Sequence, residues 1–259
     1  MIVGNDISVF QGDINYDTLK SNANFVISKA SEGTGFTDPK FGRNQSEARR
    51  VSLPLGYYHF ARPDLGNDAA HEADWFLKVI GEIREGEVLC LDFEVTYTDC
   101  VNWCKNWLDR VKFMTNGCKP LIYLNQSQLH EFNWQPIVDA GYALWIAAYV
   151  DDTNFFTGNW PSAALQQWTS GQQVPGISGN CDGDRFFGDL NAFKAYGFHK
   201  PVPVPPTPPP VPPIPPPDNP PPPVIIPPPV VTPEPPIDPE KHNCTYFGFG
   251  VYICTLKKP

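Results

Sequence analysis

The run LCLDFEVTY, residues 89–97, sets two carboxylates, Asp92 and Glu94, one residue apart in an otherwise apolar stretch. In an extended strand residues i and i+2 share a face about 6 to 7 Å apart, because each residue advances the chain by roughly 3.3 Å. Leu89, Leu91 and Phe93 mark the strand as buried, where an unpaired ionised carboxylate is expensive. At about 6.6 Å and an effective dielectric of about 20, two such charges repel by roughly 2.5 kcal/mol, enough to keep one acid protonated near neutrality. A general acid needs that condition. Buried acids also occur in structural networks, so the pair alone leaves both readings open.

Two further acids lie in strand-like runs, Asp6 in NDISVF and Asp182 in NCDGDRF. Closing a barrel makes the first and last strands neighbours, so four carboxylates would line one mouth. Such a group suits glycoside hydrolysis. Aromatic residues supply surfaces for the apolar faces of sugars, and Tyr57, Tyr58, Phe60, Tyr123, Trp145, Tyr149 and Trp168 all fall in proposed strands. Some of them must be core. Alternation favours Tyr58, Trp145 and Tyr149 for the site without fixing the pleat. Asp38, Asp68 and Asp99 precede helical segments and read as caps, while Glu82 and Asp109 read as solvated.

Other chemistries find little support. His71 opens HEAD, which lacks the second histidine of the zinc motif HExxH, and GISGN is not a GxSxG elbow. No GxGxxG or phosphate loop is present, so no metal and no cofactor is expected.

Eight short runs could carry these residues: 5–10, 25–31, 55–61, 87–94, 120–125, 143–149, 164–170 and 180–186. Helical segments separate the first five runs, among them TDPKFGRNQSEARRV, NDAAHEADWFLKVIGEI and DCVNWCKNWLDRVKFMTN, and the spacers after the fifth are more broken. Strands alternating with helices predict parallel βαβ units. Eight strands in this length predict an α/β fold of irregular TIM-like (β/α)5(β)3 type, with chemistry at the C-terminal strand ends.

Composition sets the limits of that barrel. Of 31 prolines, 23 lie between Pro201 and Pro239, a density that favours polyproline II and reads as a linker. The expected organisation is a catalytic barrel over 1–199, a Pro-rich linker over 200–241 and a short aromatic, Cys-bearing tail over 242–259. Cys244 and Cys254 flank the tail's aromatic stretch, as in a clipped hairpin, and a wall-binding role and an accessory role both stay open for it. The net charge of −9 resides almost wholly in the first segment, and no basic run exceeds two residues. A nucleic-acid partner is therefore not expected. No apolar run reaches the ~18 residues of a membrane span, and the start MIVGNDISVFQG shows no signal-peptide pattern. Seven cysteines without CxxC pairs read as reduced thiols of a protein made in the cytoplasm.

In order and spacing, DISVFQG, SKASEGTGFTDPKF, GYYHFARP, LDFE, LWIAAY and VPGISGNCD resemble the glycoside hydrolase family 25 lysozymes, over residues 4 to 190. The resemblance implies cleavage of the β-1,4 bond between N-acetylmuramic acid and N-acetylglucosamine in peptidoglycan. It makes Glu94 the general acid, lets Asp92 orient the substrate's acetamido group in a substrate-assisted route, and gives Asp6 and Asp182 supporting hydrogen bonds. It also implies Lys29, Glu32, Tyr58, His59, Tyr123, Trp145, Tyr149 and Gln167 as substrate contacts. A Pro-linked member without a visible signal is similar to bacteriophage endolysins, made in the host bacterial cytoplasm and acting on the wall after release. The chain departs from the family's Trp-Gln-Tyr at Gln166, Gln167 and Trp168, which rearranges the aromatic shell. Two rival readings are a chitinase-like glycosidase, which would want a longer acid ladder than LDFE, and a glycan-binding barrel without catalysis.

Overall fold

The structure, a computed structural model, describes residues 1–150, 153–200, 242–246 and 252–256. Eight strands form a closed barrel: β1 (Ile2–Ile7), β2 (Phe25–Glu32), β3 (Leu55–Phe60), β4 (Val88–Asp92), β5 (Leu121–Asn125), β6 (Leu144–Ala147), β7 (Leu165–Gln172) and β8 (Cys181–Phe186). Strands β1 to β7 run parallel in sequence order. Strand β8 is antiparallel to both neighbours, β7 and β1, and closes the ring between them. A two-residue strand, Phe36–Thr37, folds back on the end of β2.

Helices follow the first five strands: α1 (Tyr16–Leu19), α2 (Phe41–Arg50), α3 (Ala69–Ile80), α4 (Cys100–Met114), and α5 (Gln126–Glu131) with α6 (Gln135–Asp139). Among the described residues no helix separates β6 from β7 or β7 from β8, and α7 (Leu190–Ala195) comes last. This is the expected (β/α)5(β)3 pattern, with one departure. The last strand runs backwards, because a short connection from β7 makes an antiparallel return where a parallel one needs a crossover.

Period-two alternation divides the side chains. Phe25, Ile27, Tyr58, Cys90, Tyr123, Trp145 and Leu165 share an interior cluster with Phe186 and with Phe193 of α7. Their strand neighbours Val26, Tyr57, Leu89, Leu91, Ile122, Leu124 and Ile146 pack outward against the helices. At the floor Phe193 stacks on Phe25 at 4.6 Å and meets Phe186 edge-on at 5.4 Å. Gly4 makes room there, since a Cβ on it would stand 2.6 Å from the Phe25 ring.

The helices bury apolar residues at helical spacing: Ala69, Ala73, Phe76 and Ile80 on α3, and Trp103, Cys104, Trp107 and Val111 on α4. Asp68 caps α3 as expected, accepting from the backbone N–H groups of Ala70 and His71. Asp99 stands at the start of α4 without capping it, and accepts from Asn102 instead. Asp38 is not a helix cap either. It is buried and accepts from the backbone N–H of Val9 at 2.9 Å and of Lys40 at 2.8 Å, which fixes the loop after β1.

No described helix is long and apolar enough to cross a membrane. The linker expected over 200–241 lies almost wholly outside the described residues, as do residues 247–251 and 257–259 of the tail. Within the tail, β9 (His242–Tyr246) and β10 (Tyr252–Leu256) pair antiparallel, with Cys244 opposite Cys254.

Candidate active site

The mouth of the barrel, at the C-terminal ends of the parallel strands, holds the acids. Asp6 is the penultimate residue of β1 and Asp92 the last of β4, with Glu94 two residues beyond. Asp182 is the second residue of β8, near its start rather than its end. Because that strand is reversed, its first residues arrive at the mouth where the other strands finish. All four acids line one cavity of about 270 Å3. Lys29, Tyr58, Tyr123, Trp145, Tyr149 and Gln167 line it too, with Phe60 of the strand aromatics, as do Ser8, Phe10 and Gln11, which were not anticipated. A second hollow of about 490 Å3 shares Glu94, Tyr123 and Tyr149 and extends past them to Asn125, Ala148 and Val150. Glu94 stands at their junction.

The acids are closer than strand spacing alone would place them. The chain leaves β4 after Asp92, and the side chain of Glu94 comes within hydrogen-bonding reach of the Asp92 carboxyl. A proton must lie between the two. Burial holds Asp92 well above the ordinary carboxylate range, and the charges of Glu94 and Asp6 add to this against the pull of Lys29. Glu94 reaches solvent and is raised less, by its own partial burial opposed by the bond from Asp92. The deeper partner thus keeps the shared proton in the free enzyme.

Burial and the charge of Asp182 raise Asp6 to about 7, opposed by hydrogen bonds from Gln167 and Asp184. Partial burial raises Asp182, opposed by a hydrogen bond from Asp6. Asp184, absent from the expected set, is a fifth acid in contact with this group. Its spacing from Asp182 repeats that of Asp92 and Glu94, and this signal could have found it.

Neutral groups order the acids. Gln167 donates from Nε2 to Asp6 Oδ2 at 2.8 Å, while its Oε1 accepts from the hydroxyls of Tyr123 at 2.9 Å and Tyr149 at 2.8 Å. Trp145 meets Tyr123 edge-on at 4.8 Å and Tyr58 at 6.4 Å. Phe10 is 89% exposed on a 3-10 turn locked by reciprocal bonds between Ser8 and Gln11. It stands at the cavity rim as a free aromatic face.

Two expected contacts lie elsewhere. His59 is fully buried on the outer face of β3, between Ser31 and Glu72, and does not reach the cavity. Adjacent strand residues face opposite ways, so Tyr58 inside puts His59 outside. Glu32 does not line the cavity either. It accepts from Lys29 Nζ and from Arg62, each at 2.8 Å, and so positions the lysine that does. Cys90 and Cys181 are buried free thiols, as expected of core residues.

Residues 5–177 match the sequence profile of the glycosyl hydrolases family 25. The chain is similar to Lysozyme M1 of Streptomyces globisporus, 26% identical over 203 residues that cover 72% of this chain and 68% of that protein. It is likewise similar to the N,O-diacetylmuramidase of a Chalaropsis species, 29% identical over 64% of this chain and 87% of the relative. Among solved structures, the muramidase from Trichobolus zukalii superposes with a TM-score of 0.66 at 29% identity, covering 76% of this chain and 99% of its own. The CTP1L endolysin superposes with a TM-score of 0.66 at 30% identity, covering 75% and 70%. A profile match over most of the chain, on a barrel whose mouth gathers carboxyl groups, makes this protein a member of glycoside hydrolase family 25.

Proposed function

We propose that the protein is an N-acetylmuramidase that cleaves the β-1,4 bond between N-acetylmuramic acid and N-acetylglucosamine in peptidoglycan, as an endolysin acting on the bacterial wall. The observation that carries this reading is Glu94 at the junction of two hollows, one lined by Asp6, Asp92 and Asp182 and the other with no further acid among the described residues that line it. A sugar on each side puts the bridging oxygen at Glu94. The similarity to muramidases and to an endolysin supports the same substrate and setting.

Glu94 protonates the leaving oxygen with the proton it shares with Asp92. Asp92 is then left ionised and accepts from the N–H of the acetamido group, whose carbonyl oxygen attacks the anomeric carbon as the bond to the leaving sugar breaks. Water opens the resulting ring with Glu94 as base, which restores the shared proton. Asp6 and Asp182 hold the sugar or that water by hydrogen bonds. Lys29, Tyr58, Tyr123, Trp145, Tyr149 and Gln167 shape the pocket around it. The Pro-rich segment and the tail add a second wall contact by raising effective concentration. Removing residues 200–259 then slows lysis of intact walls but not cleavage of short soluble fragments.

The decisive experiment is mass spectrometry of borohydride-reduced peptidoglycan digests. The expected products carry reduced muramic acid at the new end, and the Glu94→Gln protein releases none. Reduced glucosamine at that end, or release by the Glu94→Gln protein at the wild-type rate, would overturn the assignment.

A further inference from the structure

Asp184 lines neither hollow of the cleft and is wholly enclosed, at 0% exposure. Its Oδ1 accepts from Trp145 Nε1 at 2.9 Å. No N–H or hydroxyl donor reaches its Oδ2. The remaining polar group it meets through a hydrogen bond is the carboxyl of Asp6. Two carboxyl groups bond in this way only with a proton between them. Asp6 is nearer the opening and already accepts from Gln167, so the more enclosed partner keeps the proton.

We propose that Asp184 is a positioning residue, a neutral carboxylic acid that donates a hydrogen bond to Asp6 and so holds the Asp6 carboxyl group in place beneath the cleft. The catalytic consequence rests on the hydrolase reading; the protonation of Asp184 does not. The ionisable groups facing it are Asp6 from β1, Asp182 and Cys181 from β8, and Cys90 from β4. None is a cation. Burial first, then the charge of Asp6, hold its carboxyl well above the ordinary range, against the bond from Trp145. An ionised Asp184 would place a second negative charge against Asp6 with no counter-ion between them.

The test uses two variants of the full chain. Asp184→Asn keeps the shape, offers an amide N–H to Asp6 and an oxygen to Trp145. Asp184→Leu keeps the approximate volume and removes both bonds. The asparagine variant is expected to retain kcat/KM within about twofold at the pH optimum, with the basic limb of its profile displaced upward because an amide cannot ionise. The leucine variant is expected to lose about tenfold or more.

Thermal unfolding gives an answer independent of activity. The folded wild type retains a proton that the unfolded chain releases above the ordinary carboxylate range, so its stability falls as pH rises. The asparagine variant should therefore gain in Tm over wild type progressively between about pH 4 and 8. A Tm difference that does not change with pH would show Asp184 ionised in the fold and overturn the proposal. So would a loss of more than about tenfold in the folded asparagine variant, since an ionisable carboxyl would then be required. If wild-type protein releases no glycan, the hydrolase reading fails and the Tm series still decides the state of Asp184.

Discussion

Two groups of buried acid and base flank the same strands, one outside the barrel and one within. Outside, His59 Nε2 bonds Glu72 at 2.8 Å, its Nδ1 meets Ser31 Oγ at 2.9 Å, and Glu72 also accepts from the backbone N–H of Arg62. The imidazole stacks on Trp107, and burial pushes it below its ordinary range against the pull of Glu72. Inside, Asp92 Oδ1 and Asp184 Oδ2 lack any N–H or hydroxyl donor, and carboxyl faces carboxyl. In the outer group every polar atom is partnered. The inner group is short of donors and opens to solvent, and that shortage leaves protons available for transfer.

The largest expected effect separates the two by activity. Glu94→Gln should lower wall-clearing activity by about 10²- to 10⁴-fold while Tm stays at the wild-type value, because the side chain stands at the exposed end of its cluster. Turbidity loss of a wall suspension and a thermal melt measure both sides. An active Glu94→Gln protein would erase the distinction.

Glu72→Ala should do the reverse. Removing the buried Glu72 side chain leaves His59 and the Arg62 N–H without their partner and opens a cavity, at a cost of about 2–4 kcal/mol of stability. The specific activity of the protein that remains folded should be unchanged, as denaturant titration beside the clearing assay will read.

Asp6→Asn sharpens the comparison through pH. The Asp6 carboxyl titrates at about 7 in the fold against an ordinary 3.8, so the folded state holds a proton that the unfolded chain gives up. Stability is then lost as pH rises from about 4 to 7, by up to about 4 kcal/mol from this group. The variant should melt higher than wild type at about pH 8 and alike at about pH 3.5, with reduced activity. Equal melting at both values would mean that Asp6 is not a strained acid.

The smallest effect is expected at the rim. Phe10→Ala should raise KM by about two- to tenfold with kcat unchanged, the loss of one aromatic face against sugar. A change in kcat instead would place Phe10 at the reacting bond.

Much of the barrel was legible in the sequence because the strands are short, apolar and separated by helices at regular intervals. Strand direction was not legible, since alternation looks the same read either way. The reversal of β8 therefore came only from the structure, and with it the reason Asp182 reaches the mouth from the start of its strand. The two misplaced contacts differ in kind. His59 was excluded in principle by its neighbour Tyr58, because one strand cannot turn both inward. Glu32 was not, because its role depends on Arg62, 30 residues away, closing on it. Asp38 looked like a cap from its place before a helix, but its partner Val9 is brought to it by the barrel.

The Phe193 plug gives this architecture a dead end. A channel blocked at one end by stacked rings cannot let a polymer thread through, so a glycan strand must lie across the rim and be cut wherever it settles. Attack at internal bonds then needs no free terminus, and the mean length of strands in a digest should collapse well before disaccharides accumulate.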